Sequence, residues 1–267
     1  MRRLGIVIFL FFLAAVLVLL FLKDRFPLRE EEVEGSEYEV VRYFPFSSPA
    51  GLEGWDRKLL GQKKTEYLVA EHEGLNCLKA ISEDSASALY YKQPLSHERD
   101  PFVSWDWKAE EFPELGSEED LQDKEVFDFA AQVYVVFHAR FFLNMKAIQY
   151  VWCREIPVGR SAVSPYTENV RIMVLQSGPS EIWKHERRDL KKDYLELFGE
   201  ELTVDVEAVS VMTDSDSTDS SASAYYKDIT LGYTGGVEHV IESSGGSQRR
   251  LELPSLPRIP LLRKRER

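Results

Sequence analysis

Ten short segments between residues 37 and 233 alternate apolar and polar side chains, or run apolar for a few residues, and nearly all are bounded by Gly, Pro, Ser or Asp. "TEYLVAEH" (65–72), "PFVSWDWKAE" (101–110), "AAQVYVVFHA" (130–139) and "VDVEAVSVMT" (204–213) are typical. A period of two is the strand period, and so many short runs separated by turn chemistry leave no room for the helices of βαβ units. The pattern therefore predicts an all-β fold, a two-sheet β-sandwich occupying residues 40–233. One segment departs from it. "HERRDLKKDYLELFGEE" (185–201) spaces Leu190, Tyr194, Leu197 and Phe198 at three and four residues and carries a stop at Gly199, which predicts one surface α-helix near 186–199. The acidic stretch "FPELGSEEDLQDKEVFD" (112–128) reads as a solvated loop between two strands.

The ends of the chain have a different character. Leu4 to Leu22 is an uncharged apolar run of 19 residues, long enough as a helix to cross roughly 30 Å of hydrocarbon. Bulky Leu20, Phe21 and Leu22 run straight into Lys23, without the small residues of a cleavage site. Residues 1–25 thus read as a retained signal anchor in the cell membrane, single-pass, with the main domain periplasmic or otherwise outside the cytoplasm. Residues 26–39 read as an acidic tether, and 234–267, rich in Lys, Arg, Pro and Gly, as a flexible basic tail. A net charge of -12 argues against a nucleic-acid partner, because phosphate tracking needs clustered cations that the central region lacks.

Two groups of residues are candidate sites. Trp105 and Trp107 in "SWDWK", and Tyr150 and Trp152 in "IQYVWCRE", fall two residues apart and so share a strand face. Such paired rings serve either as core or as a stacking platform for a glycan. In "MTDSDSTDSSASAYYKDITL" (212–231), Asp214, Asp216, Asp219 and more distantly Asp228 are either a solvated turn or the oxygen ligands of a structural Ca2+. The D-x-D-x-T at 214–218 lacks the parallel α/β scaffold that phosphatase chemistry requires downstream. The EF-hand spacing fails because Asp219 stands at its glycine position and Tyr225 at its glutamate position. His72, His97, His138, His185 and His239 are dispersed, and no nucleophile elbow, zinc motif or phosphate loop occurs, so the reading leans away from an enzyme. Cys77 and Cys153 form either two buried thiols or one disulfide.

The ordered blocks "FVSWDWKAEEFP", "FDFAAQVYVVF", "IQYVWCRE", "VLQSG", "HERRDLKKDYLELFGEE" and "AVSVMTDSDSTDSSASAYYKDI" resemble the bacterial family called domain of unknown function 3047, over about residues 40–233. Ser217 and Asp219 depart from the Asn and Gly that the family usually carries there. The resemblance brings no established activity. Strand order and the closing Tyr225–Ile229 block are also similar to galactose-binding-like and carbohydrate-binding-module jelly rolls, which implies a ligand on a concave sheet face or at loop ends. The expectation is a non-catalytic, envelope-anchored binding module with a glycan as ligand; a polysaccharide-active enzyme and a structural partner protein are the alternatives. "DSASALYY" (84–91) and "SSASAYYK" (220–227) share a small-residue alternation that suggests neighbouring strands of one sheet.

Overall fold

In the computed structural model, which describes residues 38–139 and 144–235, the alternating segments become thirteen strands. They are β1 (Tyr38–Phe44), β2 (Asp56–Leu59), β3 (Glu66–His72), β4 (Leu75–Glu83), β5 (Ala86–Leu95), β6 (Asp100–Glu111) and β7 (Ala131–Phe137). The series continues with β8 (Ala147–Cys153), β9 (Ser161–Val163), β10 (Val170–Ser177), β11 (Lys184–Asp189), β12 (Val206–Asp214) and β13 (Ser221–Thr234). One sheet has the order β11-β6-β13-β4-β3, with β1 also paired to β13; the other runs β2-β5-β12-β7-β8-β10-β9. Every pairing is antiparallel except β8 with β10, whose connection crosses over through residues 154–169 and β9, as a parallel pair requires.

The sheets pack face to face through the inward residues of each strand. Trp105 and Trp107 of β6 meet Tyr150 and Trp152 of β8, with ring centroids 5.4 Å apart for Trp105–Tyr150 and 5.6 Å for Trp107–Trp152. Leu78, Ala224 and Tyr226 on one side and Val133, Val135, Val209 and Val211 on the other complete this core.

The helix is shorter than the spacing predicts. α1 spans Leu190–Phe198, and residues 184–189 form β11 instead, hydrogen-bonded along the open edge of β6 from Lys184 opposite Trp107 to Asp189 opposite Phe102. Asp189 ends the strand by capping the helix, its carboxylate accepting from the backbone N–H of Lys191 and Lys192 at 3.0 and 3.1 Å. Gly199 closes it at φ 72°, a left-handed conformation that glycine adopts without penalty.

The acidic stretch before β7 is not simply solvated. Leu121, Phe127 and Phe129 fold over the outer face of the seven-stranded sheet and bury Val151, Cys153, Ile172 and Val174 beneath them. This cover lies over β8 and β10, and among the described residues the outer face of β2, β5, β12 and β7 is left open as a groove.

Both cysteines are free and buried. They belong to different sheets, Cys77 in β4 and Cys153 in β8, so of the two readings the separate thiols hold. Burial pushes the Cys77 thiol up to about 11. The echoing segments also lie apart, β5 in the seven-stranded sheet and β13 in the six-stranded one. The apolar run 4–22, the tether up to residue 37 and the tail from 236 fall outside the described residues. Among the described residues no helix is long and apolar enough to cross a membrane.

Candidate functional site

The uncovered part of the seven-stranded sheet forms a groove of about 1020 Å³. Its floor is shallow-chained for a reason visible in the register. Outward positions of β5 and β12 include Ala86, Ala88, Ala208 and Ser210, small side chains that leave space above the sheet beside the longer Met212. Ser210 pairs with Tyr90 of β5 on one side and Tyr134 of β7 on the other, and Tyr134 pairs with Gln149 of β8. Tyr90, Ser210, Tyr134 and Gln149 therefore form one row across four adjacent strands. With neighbouring strands about 4.8 Å apart, the two tyrosines flank the serine at a separation of roughly 10 Å. A third ring, Tyr166, projects from the loop before β10 at 58% exposure. Lys58 and Lys92 border the β2 and β5 side, while Asp214 and Asp216 stand at the end of the groove nearest the β12–β13 turn.

Three carboxyls come together beside that turn. Asp128, Asp214 and Asp216 each bring one oxygen within 4.8 Å of the others. Asp214 is 5% exposed, and its Oδ1 accepts from the backbone N–H of Phe129 at 2.8 Å and from Gln132 Nε2 at 2.5 Å. Asp128 accepts from the Thr218 N–H and hydroxyl at 2.8 and 2.7 Å and from the Ser217 N–H at 3.2 Å. Burial, then the neighbouring Asp128 and Asp216 charges, hold the Asp214 carboxyl well above the usual aspartate range. Asp216 is raised by burial and by Asp128, and Asp128 by burial, which outweighs its hydrogen bonds. Three oxygen donors at this spacing could hold a hard cation such as Ca2+.

The structure separates the predicted site residues. Trp105, Trp107 and Tyr150 are 0% exposed and Trp152 is 1% exposed. A stacking platform needs an open ring face, and these four rings give theirs to each other across the two sheets. Trp152 Nε1 also donates to the Gly178 carbonyl at 2.8 Å. Of the four aspartates, Asp214 and Asp216 come together. Asp228 lies in β13 of the opposite sheet, where it accepts from Lys227 and Tyr43, and Asp219 is an exposed turn residue at φ 49°. Asp128 takes the third place, supplied by the stretch that reads as a solvated loop. Tyr90, Tyr134 and Tyr166 carry no distinguishing sequence signal beyond alternation with small residues in "SALYY" and with valines in "QVYVV".

A protein-family model described as "Protein of unknown function (DUF3047)" matches residues 53–230. No curated protein matches the chain. Among solved structures, the chain is similar to the Emp47p carbohydrate recognition domain at 9% identity and a TM-score of 0.43, covering 76% of this chain and 99% of that one. It is similar to the family 11 carbohydrate-binding module of the cellulosomal cellulase Lic26A-Cel5E of Clostridium thermocellum at 8% identity and a TM-score of 0.39, covering 76% and 98%. A third is the xyloglucanase domain of NopAA from Sinorhizobium fredii, at 10% identity and a TM-score of 0.39, covering 67% and 93%.

Proposed function

The chain belongs to the family of proteins of unknown function DUF3047, and from its own groove we propose that it is a non-catalytic ligand-binding module whose ligand is a glycan. The row Tyr90–Ser210–Tyr134–Gln149 carries this reading. A sugar ring has apolar C–H faces and a hydroxyl rim, and it needs aromatic faces beside polar groups in a site it can enter. The groove offers both on a rigid sheet, with alanines below that leave room for the ring. In the same reading the apolar run 4–22 holds the module at a membrane with the sandwich outside the cytoplasm, and Ca2+ at Asp128, Asp214 and Asp216 is a structural ion that fixes the β12–β13 turn.

Hydrolysis is the competing use of such a groove, since Asp214 and Asp216 bring two carboxyls together at one end of it, and glycosidases work with a pair of carboxyls. That chemistry needs one carboxyl free to protonate a bond lying between the two. Asp214 is instead sunk beside the floor, with Oδ1 held by Phe129 and Gln132.

The test is binding of the full-length chain to an array of cell-wall and capsular polysaccharides, in a detergent whose headgroup is not a sugar. Retention on at least one glycan, abolished by Tyr90→Ala and without release of reducing ends, is expected. Uniform silence overturns the reading, as does binding indifferent to Tyr90→Ala; reducing-end release lost in Asp216→Asn would move the function to hydrolysis.

A further inference from the structure

The floor of the groove contains a hydrogen-bond chain with a fixed direction. The Phe129 backbone N–H can only donate, and it points at Asp214 Oδ1 at 2.8 Å, so that oxygen is an acceptor whether or not the carboxyl carries a proton on its other oxygen. Gln132, fully buried, directs Nε2 to the same oxygen at 2.5 Å. An amide whose nitrogen faces Asp214 turns its carbonyl the opposite way, and Gln132 Oε1 accepts from the Tyr134 hydroxyl at 3.0 Å and from Gln149 Nε2 at 2.8 Å. A phenol has a single proton. With that proton directed at Gln132, Tyr134, which lines the groove, presents only lone pairs to it.

We propose that Asp214 and Gln132 are positioning residues that make the Tyr134 side of the groove an acceptor surface, so that it selects a neutral glycan with a free hydroxyl over Tyr134 and rejects etherified or anionic chains. This rests on the carbohydrate reading of the groove. A methyl ether or a carboxylate at that position has no proton to donate, and its oxygen meets the Tyr134 lone pairs. Both inner residues act through Tyr134, and neither has to contact the sugar. Asp214 sets the polarity: any group there that keeps an acceptor oxygen toward Phe129 and Gln132 preserves it, and a group without one frees the Gln132 amide to flip.

Calorimetric titration of the full-length chain, in the same type of detergent, with cellohexaose, mannohexaose and xylohexaose and with their O-methylated forms tests this. The free-hydroxyl form of the best binder should exceed its methylated form by about tenfold or more, the scale of one lost hydrogen bond with an unpaired partner. Tyr134→Phe should abolish that preference, Asp214→Asn should retain it and Asp214→Ala should lose it. Equal affinity for the methylated form overturns the proposal. So does a preference that survives Tyr134→Phe, which assigns it to methyl bulk alone. If all six probes are silent, the polysaccharide array above decides the carbohydrate reading, and the hydrogen-bond relay is judged without ligand, from the side-chain amide protons of Gln132 and Gln149 in ¹⁵N spectra. Shifts displaced from free amide, kept in Asp214→Asn and lost in Asp214→Ala, support the relay; free-amide shifts in the unaltered protein overturn it.

Discussion

Tyr150 donates its hydroxyl to Asp193 Oδ2 at 2.7 Å, joining the centre of the sheet interface to the helix that packs beside it. Arg188 closes the arrangement from β11, with Nε 2.8 Å from Asp193 Oδ2 and Nη2 2.6 Å from Oδ1. Asp193 is 1% exposed. Burial by itself lowers the Arg188 pKa, yet the paired carboxylate leaves it above its ordinary value. Asp193→Ala removes the acceptor for a buried phenol and a half-buried guanidinium together, and truncating one partner of a buried pair costs about 3 kcal/mol or more. The expected outcome is a lower denaturant midpoint with an unchanged slope, measured by equilibrium unfolding. Asp193→Asn, which keeps one acceptor, should lose less.

The carboxyl trio predicts an unusual pH dependence. Asp128, Asp214 and Asp216 have folded-state pKa values raised above the ordinary 3.8. The folded protein therefore holds protons that the unfolded chain releases, and the stability these groups contribute is full below 3.8 and is lost as pH rises through the raised values. Other carboxyls, such as Asp106 and Glu110, are lowered and act in the opposite direction, so the readout is a difference. Relative to the unaltered protein, Asp214→Asn should gain Tm at pH 8 and lose that gain at low pH. Ca2+ added at pH 8 should raise the Tm of the unaltered protein and leave Asp214→Asn nearly unmoved. A parallel pair of Tm-against-pH curves would contradict the raised carboxyls.

The sandwich was legible in the sequence because period-two alternation is a local property, and each strand carries it independently of its neighbours. The site was not, because alternation defines two faces without saying which is inward. In "FVSWDWK" the tryptophans alternate with Ser104, Asp106 and Lys108, and inward and ligand-facing rings would be written identically. In "QVYVVF" Tyr134 stands between valines, so it is indistinguishable from core until β12 and β8 are placed beside it. "DSASALYY" and "SSASAYYK" look alike for different reasons: Ala86 and Ala88 line the floor of the groove, whereas Ala224 sits in the core between the sheets. The cover that bounds the groove was hidden by its own composition, since Leu121, Phe127 and Phe129 are scattered among acidic residues that dominate any average.

Gly232 marks a close approach of two strands. A β-carbon there would overlap the Glu39 carbonyl oxygen and lie 2.9 Å from Phe102 Cε1, between β1 and the aromatic that opens β6. Gly232→Ala should force β1 away from β13, at about 1–3 kcal/mol for overpacking. Hydrogen exchange should report it as faster exchange in β1 with β12 unaffected. Uniform protection in both strands would show that β1 is not held at this point.

Two aromatic substitutions should separate the core from the groove. Trp105 is fully buried against Trp107 and Tyr150, at centroid distances of 5.4 Å for both, so Trp105→Ala opens a cavity at the centre of the sheet interface and should lower stability by about 3–5 kcal/mol. Tyr90 is half-buried and lines the groove beside Ala86 and Ala88, so Tyr90→Ala should change stability by less than about 1 kcal/mol while removing retention on any glycan bound. Unfolding midpoints and array binding measured on the same two variants decide the matter, because a platform built from the tryptophans would reverse the pattern. In that case Trp105→Ala would fold with near-normal stability and bind nothing, and Tyr90→Ala would bind as before.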